Sequence, residues 1–374
     1  MEQGETKRRL LFSLLTLLII FLFLESTVRG IHLYYPLFED KISLSIDHPQ
    51  FHHWHVPNAS GTSVAATGEF HVPIRTNSHG MPGKERSLLK PDGIYRIALL
   101  GDSFVEGFAT KEEDSISVLL ENLLNKSSTK KHEVLNFGSS TFSPSLEYYL
   151  LLNLAQKFQP DMVILLFHVT DVRDDWKYEK SKVLDRDGNA MGIDGTSRKS
   201  IPYQILEKSA FMRTVVQKTK KLLRQRQLDV GQVPDLTESY FAMFKDSYTR
   251  SDQMAWDLTK SYLNRIKNWS DAAGVPFLLT VIPVGPQVEP VLKNTKGKLL
   301  FPKDWQDLKS TKMQDILRDW SIEVSGNFLD LLPHAKAFKR TNPEETLFYP
   351  LDQHFTATGN KVAATAIYKM ISQK

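Results

Sequence analysis

The sequence contains no cysteine among its 374 residues. Disulfide bonds, thiol nucleophiles and zinc sites built on thiolates are therefore excluded. Charge of one sign is also scarce, because 47 Lys and Arg face 43 Asp and Glu and leave a formal net charge of +4. Such a balance does not favour nucleic acid as a partner. Internal repeats and long low-complexity segments are absent as well.

Long apolar runs are rare, and the one that stands out lies near the N-terminus. Residues 10–24, "LLFSLLTLLIIFLFL", carry no charge and only Ser13 and Thr16 as polar side chains. With the residues up to Val28 the segment reaches the roughly 17–25 residues that a membrane-spanning helix needs. A cleaved signal peptide is the alternative, because the strictly apolar part is short.

The charges around this run predict its orientation. Lys7, Arg8 and Arg9 precede it and Glu25 follows it. Because basic residues favour the cytoplasmic side, residues 1–9 are expected in the cytoplasm and the segment 10–28 in the membrane. The rest of the chain is then expected outside the cytoplasm, in a periplasmic or extracellular location.

Residues 29–92 show no strong periodicity and are rich in His, Pro, Asn and Gly. Turns are expected at Asn58 and at residues 80–83, "GMPG". The segment therefore predicts an irregular or short-stranded lead-in before the main domain at 93–374.

From Tyr95 onwards, apolar strand-like runs alternate with helix-like stretches. Continuous apolar strands between helices predict a parallel sheet that is covered on both faces. The expected strands are Ile97–Leu100, Val134–Phe137, Met162–Phe167, Phe277–Ile282 and Phe328–Leu331. The expected helices are Ser115–Asn125, Ser145–Lys157, Asp257–Ala273 and Lys312–Val324.

Residues 176–251 interrupt this alternation and predict an insertion or cap over a site at the strand ends. The insertion contains a basic, helix-like stretch, "RTVVQKTKKLLRQRQ". A charge-rich stretch of this kind is typical of a solvated helix face. Attachment to an anionic membrane surface is the alternative, because Val215, Val216, Leu222 and Leu223 give it one apolar side.

Ser103 lies where the first apolar strand ends, in "IALLGDSFVEG". Two interpretations are open for it. Asp and Ser are common caps at a helix start, where they accept hydrogen bonds from free N–H groups. A serine in a loop at a strand end can also be a nucleophile, provided that a base activates its hydroxyl.

A base is available in "YPLDQHFTATGNK", near the C-terminus, where Asp352 and His354 precede an amphipathic helix. His354 could accept the proton of Ser103 while Asp352 orients the ring and stabilises its positive charge. The alternative is that both are loop residues and that Thr356 or Thr358 caps the last helix.

Together these segments have the layout of the SGNH (GDSL-type) hydrolases, which the chain resembles from Tyr95 to Lys374 apart from the insertion. "GDSFVEG" resembles the first block, and the last block is matched by Asp352 and His354 with the short Asp-x-His gap of exported members. The lead-in "NSHGMPGKER" is similar to the segment before the catalytic domain of membrane-anchored bacterial members. No Gly-x-Ser-x-Gly elbow of the α/β-hydrolases occurs.

The resemblance also implies an oxyanion hole. The backbone N–H groups of Ser103 and Gly138 would be two of its donors. The third block departs from the family, since "FHVTD" has Thr170 where the family has the Asn that donates to the oxyanion. A hydroxyl offers a single hydrogen without the amide geometry. His168 is a further donor candidate, or alternatively a hydrogen-bonded histidine at a strand end.

The resemblance implies a flavodoxin-like three-layer α/β/α fold with a central parallel sheet. It also implies a serine esterase with Ser103, His354 and Asp352 as its triad and no cofactor. For an exported, anchored member, the expected substrate is an O-acylated (acetylated) glycan that belongs to the cell envelope or is secreted. The alternatives are acyl transfer by the same triad and a glycan-binding or assembly protein with impaired catalysis.

The histidines in "FHHWHVPN" raise the question of a metal site. His53 and His55 would share one face of a strand and could supply two ligands. No carboxylate or third histidine at suitable spacing completes the set. An aromatic-rich packing or glycan-contacting loop is therefore expected instead of a metal.

Overall fold

The structure is a computed structural model that describes residues 2–32, 44–65, 67–196, 209–229, 242–289 and 308–373. The predicted insertion at 176–251 lies partly outside the described residues, so its role as a cap stays a prediction.

The two longest strands have eight residues each and belong to the central sheet. In chain order they are β1 (Ser45–His48), β2 (His52–His55), β3 (Ser60–Val64), β4 (His71–Arg75), β5 (Ile94–Gly101), β6 (Lys131–Gly138), β7 (Met162–Phe167), β8 (Lys182–Leu184), β9 (Ala190–Ile193), β10 (Phe277–Val281) and β11 (Asn327–Asp330).

The α-helices range from a single turn to the long N-terminal helix. In chain order they are α1 (Glu2–His32), α2 (Ser103–Glu106), α3 (Ile116–Ser127), α4 (Pro144–Asn153), α5 (Asp171–Tyr178), α6 (Ala210–Asp229), α7 (Arg250–Ala273), α8 (Gly285–Val288), α9 (Lys312–Glu323), α10 (Leu331–Thr341) and α11 (Ala357–Ser372).

The described residues divide into two compact units. The first combines residues from 1–42 and 197–226, and it contains α1 and most of α6. In the described part of the chain, one helix is long and apolar enough to cross a membrane, namely α1 over Glu5–Ile31. The second unit combines residues from 43–196 and 227–374, which include the lead-in and the central sheet.

The central sheet of the second unit has five strands in the order β11-β10-β7-β5-β6. All four neighbouring pairs are parallel. Counted along the chain this order is 2-1-3-4-5, the flavodoxin-like arrangement. The predicted fold class is thus confirmed, and the sheet's crossovers turn in opposite directions on the two sides of β5.

Helices cover both faces of this sheet. Since successive residues of a strand point to opposite faces, each strand contributes side chains to two cores. On one face, Leu100 and Leu165 belong to a core with Trp256 of α7 and Leu317 of α9. On the other face, side chains of α3, α10 and α11 complete a core that includes Leu99, Ile164, Leu120, Ala335 and Ile367. Burial on both faces explains why these strands are continuously apolar.

The lead-in forms two antiparallel pairs, β1 with β2 and β3 with β4. Trp54 is buried in the core on the face of the sheet that α7 and α9 cover, and its indole N–H donates to the carbonyl of His79 at 2.8 Å. Gly80 has φ +77°, and a Cβ there would lie 2.5 Å from the Trp54 ring nitrogen. The predicted turn at Gly80 is therefore one that only glycine fits, and it packs against Trp54, whose side chain belongs to the core of the sheet.

Candidate active site

Ser103 lies at the carboxyl end of β5, between strands whose crossovers run to opposite sides. Open α/β sheets place their ligand sites at this position, because loops diverge there and leave a crevice. The preceding strand is buried from Arg96 to Gly101, which is six of its eight residues. The serine thus follows a buried interior strand of the sheet.

Asp102, and not Ser103, caps the helix that follows. The Asp102 carboxylate accepts a hydrogen bond from the N–H of Phe104 at 2.9 Å, as an N-cap does. The hydroxyl of Ser103 lies 2.7 Å from Nε2 of His354. The cap interpretation of Ser103 is therefore not supported by the geometry, because a neighbouring residue fills that role.

The loop before α11 presents the other two residues of the set. Nδ1 of His354 lies 2.5 Å from a carboxylate oxygen of Asp352. Gln353, between them, has φ +70°, and its N–H donates to the carbonyl of Tyr349 at 2.9 Å. This turn places the two side chains next to each other although only one residue separates them.

The electrostatic surroundings of His354 favour its protonated form. Burial alone would lower the pKa of His354, but the hydrogen bond and the charge of Asp352 outweigh it, with a further contribution from Asp102. The pKa of His354 is therefore raised above its ordinary 6.5. Its ring keeps 21% of its surface exposed, so a substrate can reach it, whereas the Asp352 side chain is 8% exposed.

Gly138 is placed beside this set, at the end of β6 and in register with Gly101. Its N–H donates to the side-chain oxygen of Asn136 at 2.9 Å. A Cβ at Gly138 would lie 2.1 Å from the backbone nitrogen of Glu106, so the position needs glycine for close packing against α2. In this arrangement the Gly138 amide is engaged, and an oxyanion would have to displace Asn136 from it.

Thr170 and His168 follow β7, the other neighbour of β5, and bind each other. Nδ1 of His168 lies 2.8 Å from the Thr170 hydroxyl and 3.9 Å from an Asp102 oxygen. Burial lowers the pKa of His168 to about 3, with a smaller effect of the His354 charge. The ring is therefore neutral near pH 7. If its Nδ1 carries the hydrogen and donates to Thr170, the threonine hydroxyl is free to donate onward.

Hydrogen bonds also link the lead-in to α2, the short helix that begins at Ser103 (the serine helix). His55 of β2 contacts a Glu106 carboxylate oxygen through Nε2 at 2.9 Å and the Gly80 carbonyl through Nδ1 at 3.1 Å. The other Glu106 oxygen accepts a short hydrogen bond from the Ser140 hydroxyl. Burial raises the pKa of Glu106, but His55 and Ser140 outweigh it and the net shift is downward. A buried carboxylate with partners on both oxygens is well satisfied, so α2 is tied to the lead-in at its last residue.

Glu69, in the turn between β3 and β4, holds the loop that carries Asp352. Its carboxylate accepts hydrogen bonds from the N–H of Asp352 at 2.7 Å and from the N–H of Leu351 at 2.9 Å. Nearby, the rings of Phe70 and Tyr349 pack with centroids 5.0 Å apart. The lead-in thus contacts both the serine helix and the loop of the candidate base.

Several buried carboxyl groups interact electrostatically with Asp102, the residue before Ser103. Burial first, and then the charges of Asp175 and Asp102, raise the pKa of Glu147 well above 4.5. Burial, Asp102 and Glu147 likewise raise the pKa of Asp171. Both oxygens of Glu147 and one of Asp171 have no hydrogen-bond partner among the described residues. These two groups therefore favour their protonated, uncharged forms over a wider pH range than usual.

The histidines of β2 are engaged in other contacts. Nε2 of His53 lies 2.9 Å from the carbonyl of Ser140, and its Nδ1 lies 2.9 Å from Nδ1 of His52. Burial lowers the pKa of His53 to about 4. Within the described residues, no three His, Asp or Glu side chains are grouped so that they could hold a metal ion. The cluster is aromatic-rich packing, since His53 also meets Phe142 edge-on with ring centroids 4.9 Å apart.

A small cavity of about 10 Å³ lies beside Ser103 and His354. Phe104 and Phe108 line it, and the centroids of their rings lie 5.0 and 5.1 Å from the centroid of the His354 ring. The volume is about enough for one water molecule.

The structure brings Ser103, Asp352 and His354 together, as the sequence predicts, but the sequence analysis does not identify the residues that hold them. The role of Asp102 as a helix cap is suggested by its position before the serine at a strand-to-helix junction. Nothing in the sequence indicates the role of Glu69, because it binds backbone groups 282 and 283 positions away. A contact of that kind appears only once the chain is folded.

No protein-family model matches the chain, and no curated protein matches it. Three solved structures illustrate what its fold is similar to. A gut microbial diltiazem-metabolizing enzyme shares 11% identity at a TM-score of 0.43, over 76% of this chain and 48% of that one, so the chain spans about half its length.

The other two neighbours are matched over nearly their whole length. An acetyl xylan esterase shares 14% identity at a TM-score of 0.42, over 74% of this chain and 99% of that one. A lipase/acylhydrolase from Enterococcus faecalis shares 12% identity at a TM-score of 0.38, over 75% and 96%. These values are too low to carry the neighbours' activities over to this chain, so its function has to be argued from its own site.

Proposed function

We propose that the protein is a serine ester hydrolase of the SGNH type. One observation carries the proposal, namely the continuous set of contacts from the Ser103 hydroxyl to His354 and from His354 to Asp352. A base within hydrogen-bond reach of the hydroxyl, itself oriented by a carboxylate, is the arrangement that activates a serine. The resemblance found in the sequence supports the same reaction class.

In the proposed reaction, Oγ of Ser103 attacks the ester carbonyl carbon while Nε2 of His354 takes the hydroxyl proton. Asp352 stabilises the imidazolium that forms. His354 then gives the proton to the departing alcohol as the bond between the carbonyl carbon and the alcohol oxygen breaks. Water attacks the acyl-serine with His354 again as base, and the carboxylic acid leaves as Ser103 regains its proton.

The negative oxygen of the tetrahedral intermediate needs donors. The N–H of Ser103 is one of the first amides of α2, and such amides have no acceptor within their own helix. The Thr170 hydroxyl would be the side-chain donor, and the Gly138 N–H would join if Asn136 released it. Losing one such donor typically costs about 3–4 kcal/mol of transition-state stabilisation.

The substrate that we propose is a small acyl ester, an acetyl group, on a glycan of the cell envelope. The small cavity beside Ser103 and His354, about 10 Å³, supports a small acyl group. The glycan is inferred from the resemblance to anchored, exported members of the family.

We further propose that α1 anchors the protein in a membrane, with residues 1–9 in the cytoplasm and the sheet domain outside. The length and composition of α1 support the anchor. The basic residues before the apolar run support its orientation.

The test is ester hydrolysis by the full chain in detergent, compared with Ser103→Ala. The substrates are an aryl acetate, an aryl butyrate and an acetylated oligosaccharide. Ser127→Ala, at an exposed serine of α3, is the matched control. We expect Ser103→Ala to lose about 10⁴–10⁶-fold in kcat and the control to keep full activity.

Mass spectrometry of the protein during turnover should show an added acetyl group on Ser103. Adding an acceptor oligosaccharide separates hydrolysis from transfer, since transfer would yield an acetylated acceptor in place of free acetate. Equal activity of Ser103→Ala and the parent would overturn the proposal. A parent without activity on any of these substrates would favour a binding protein.

A further inference from the structure

Helix α6 forms, with α1, the first unit of the chain, and its surface has an apolar side that no described residue covers. Val215 and Val216 are each 42% exposed, whereas Leu222 and Leu223 are 71% and 55% exposed. The second pair follows the first by seven residues, which is two helical turns, so the four side chains share one face. Exposed apolar faces of this kind mark an interaction surface.

The first turn of α6 is hydrogen-bonded to one residue of α1, Glu25. The Glu25 carboxylate accepts hydrogen bonds from the hydroxyl of Ser209 at 2.7 Å and from the N–H groups of Ala210 and Phe211 at 2.9 Å each. Glu25 therefore caps α6 in the way that a side chain at its own N-terminus would. The cap fixes the first turn of α6 beside one residue of α1.

That residue is the first charged one after the apolar run at 10–24. One helical turn earlier, the ring of Phe21 meets the ring of Phe211 edge-on, with centroids 6.3 Å apart. Phe21 belongs to the apolar run and Glu25 ends it. The first turn of α6 thus lies at the level where the hydrocarbon region of a bilayer would give way to the headgroups.

The charge of α6 suits an anionic headgroup layer. Its 20 residues include six Lys or Arg and one acidic residue, Asp229 at the end. A basic amphipathic helix with an apolar stripe binds in the plane of an anionic membrane surface. Headgroup charge attracts the Lys and Arg, and the acyl-chain boundary accommodates the apolar face.

We propose that α6 is an interfacial helix, with its Val215–Leu223 face in the boundary region of the bilayer that α1 crosses and its cations among anionic lipid headgroups. The inference rests on the proposal that α1 spans a membrane. It assigns to the basic stretch a role as a second membrane attachment, in place of a solvated helix face.

The absence of cysteine makes a direct test simple, because any introduced cysteine is unique. The full chain is reconstituted in nanodiscs of neutral phosphatidylcholine, or of the same lipid with about 30% phosphatidylglycerol, an anionic lipid. Spin labels are attached at Leu222→Cys, at Gln217→Cys as the matched control and at Leu18→Cys on α1. Position 217 is about 140° around the helix from position 222.

The readout is the accessibility of each label to oxygen, which partitions into lipid, relative to a water-soluble nickel chelate. In anionic nanodiscs we expect a several-fold higher ratio at position 222 than at position 217, and a higher ratio still at position 18. In neutral nanodiscs the ratio at position 222 should fall. This set of results would support the proposal.

Two outcomes at position 222 would overturn it while position 18 remains in lipid. A label as accessible to the chelate as at position 217 would mean a solvated helix, and a label shielded from both reagents would mean packing against protein. A ratio that does not depend on the anionic lipid would overturn the role of the Lys and Arg residues. A label at position 18 that lies in water would overturn the anchor itself, so the two failures are distinguishable.

Discussion

At the scale of single residues, Asp102 and Ser103 have separate roles, and this leaves the serine hydroxyl available to His354. Asp102 accepts the hydrogen bond at the start of α2, so the adjacent hydroxyl is left to face His354. Burial raises the pKa of Asp102 to about 6, and Phe104 N–H and His354 oppose the shift. The carboxylate is therefore both a cap and a source of negative charge that favours protonation of His354.

This electrostatic arrangement predicts the pH dependence of the reaction. His354 must be neutral to accept the Ser103 proton, so kcat/KM should fall as the pH drops through its pKa. Because that pKa is raised, the acid limb should lie above pH 6.5. Replacing Asp352 by Asn removes the largest upward contribution, so the limb should move to lower pH while kcat falls about 10³–10⁴-fold.

The measurement is kcat/KM on an aryl acetate between about pH 5 and 9, spanning the titration range of histidine. Asp319→Asn, at an exposed position of α9, serves as the control and should leave the limb in place. An acid limb at or below pH 6.5 in the parent would contradict the raised pKa of His354, and a limb that Asp352→Asn does not move would contradict the pairing of His354 with Asp352.

Thr170 gives a second prediction at this scale. Thr170→Val removes the hydroxyl and keeps the shape, so an oxyanion donor would be lost without repacking. We expect kcat to fall about 10²–10³-fold with little change in KM, because the interaction is made in the transition state. Steady-state kinetics on the aryl acetate tests this. An unchanged kcat would leave the backbone N–H groups as the only donors needed.

At the scale of elements, the lead-in acts on both halves of the site. His55 of β2 binds Glu106 at the end of the serine helix, and Glu69 binds the amides of the Asp352 loop. Residues 44–65 and 67–92 are therefore part of the folded support of the candidate site, although their sequence predicts only an irregular or short-stranded segment.

Replacing Glu69 tests this support. Glu69→Ala leaves the N–H groups of Leu351 and Asp352 without their acceptor, so the loop should relax and misplace His354. Displacements of about 1 Å can cost 10²-fold in rate, and we expect kcat to fall about 10–100-fold with KM nearly constant. Glu69→Gln keeps one acceptor oxygen and should restore part of the loss.

The matched control for Glu69 is Glu113→Ala, at an exposed glutamate. Proton NMR adds a readout specific to positioning, because the short His354–Asp352 hydrogen bond should give a far-downfield resonance in the parent. That resonance should weaken or shift in Glu69→Ala. A variant with full kcat and an unchanged resonance would show that the loop holds its own geometry.

The accuracy of the sequence-based predictions also differs by element. The five strands of the sheet are found within a few residues of the expected ranges, because each is a continuous apolar run. Helix α7 begins at Arg250 instead of Asp257, since Thr249 and Asp252 form a capping box in a polar stretch. The helix expected at Ser145–Lys157 ends at Asn153 and continues as a 3₁₀ turn over Ala155–Phe158.

The site was predictable only in part, for a physical reason. The residues proposed to exchange protons are polar types at the ends of elements, Ser103 after β5 and His354 before α11, which a pattern can reveal. The residues that hold them act through single hydrogen bonds to distant backbone groups, as Glu69 does. Such contacts depend on the packing of several elements, and local sequence does not encode them separately.

At the scale of the whole molecule, the buried carboxyl groups should make stability depend on pH. A carboxyl whose pKa is raised on folding binds more protons in the folded than in the unfolded state. The free energy of unfolding therefore falls as pH rises above the ordinary carboxyl pKa, until the folded-state pKa is reached. Glu147, which has no hydrogen-bond partner among the described residues, should contribute to this loss.

Glu147→Gln removes the titration and preserves the shape. Relative to the parent, we expect it to be more stabilising at pH 8 than at pH 5, by about 1–3 kcal/mol. Thermal unfolding of the detergent-solubilised chain at the two pH values measures the difference. Glu323→Gln, at an exposed position, should show no such dependence. Equal effects of Glu147→Gln at both pH values would mean that Glu147 ionises normally in the folded protein.

The separation of Ser103 and His354 along the chain has a consequence for biosynthesis. They are 251 positions apart, and the loop with Asp352 lies between α10 and the last helix, α11. A ribosome makes the chain from its N-terminus, so the serine exists long before its base has been synthesised. A nascent or truncated chain that ends before residue 354 therefore carries Ser103 without its proposed base, and the proposed reaction requires the chain to be made at least to that residue.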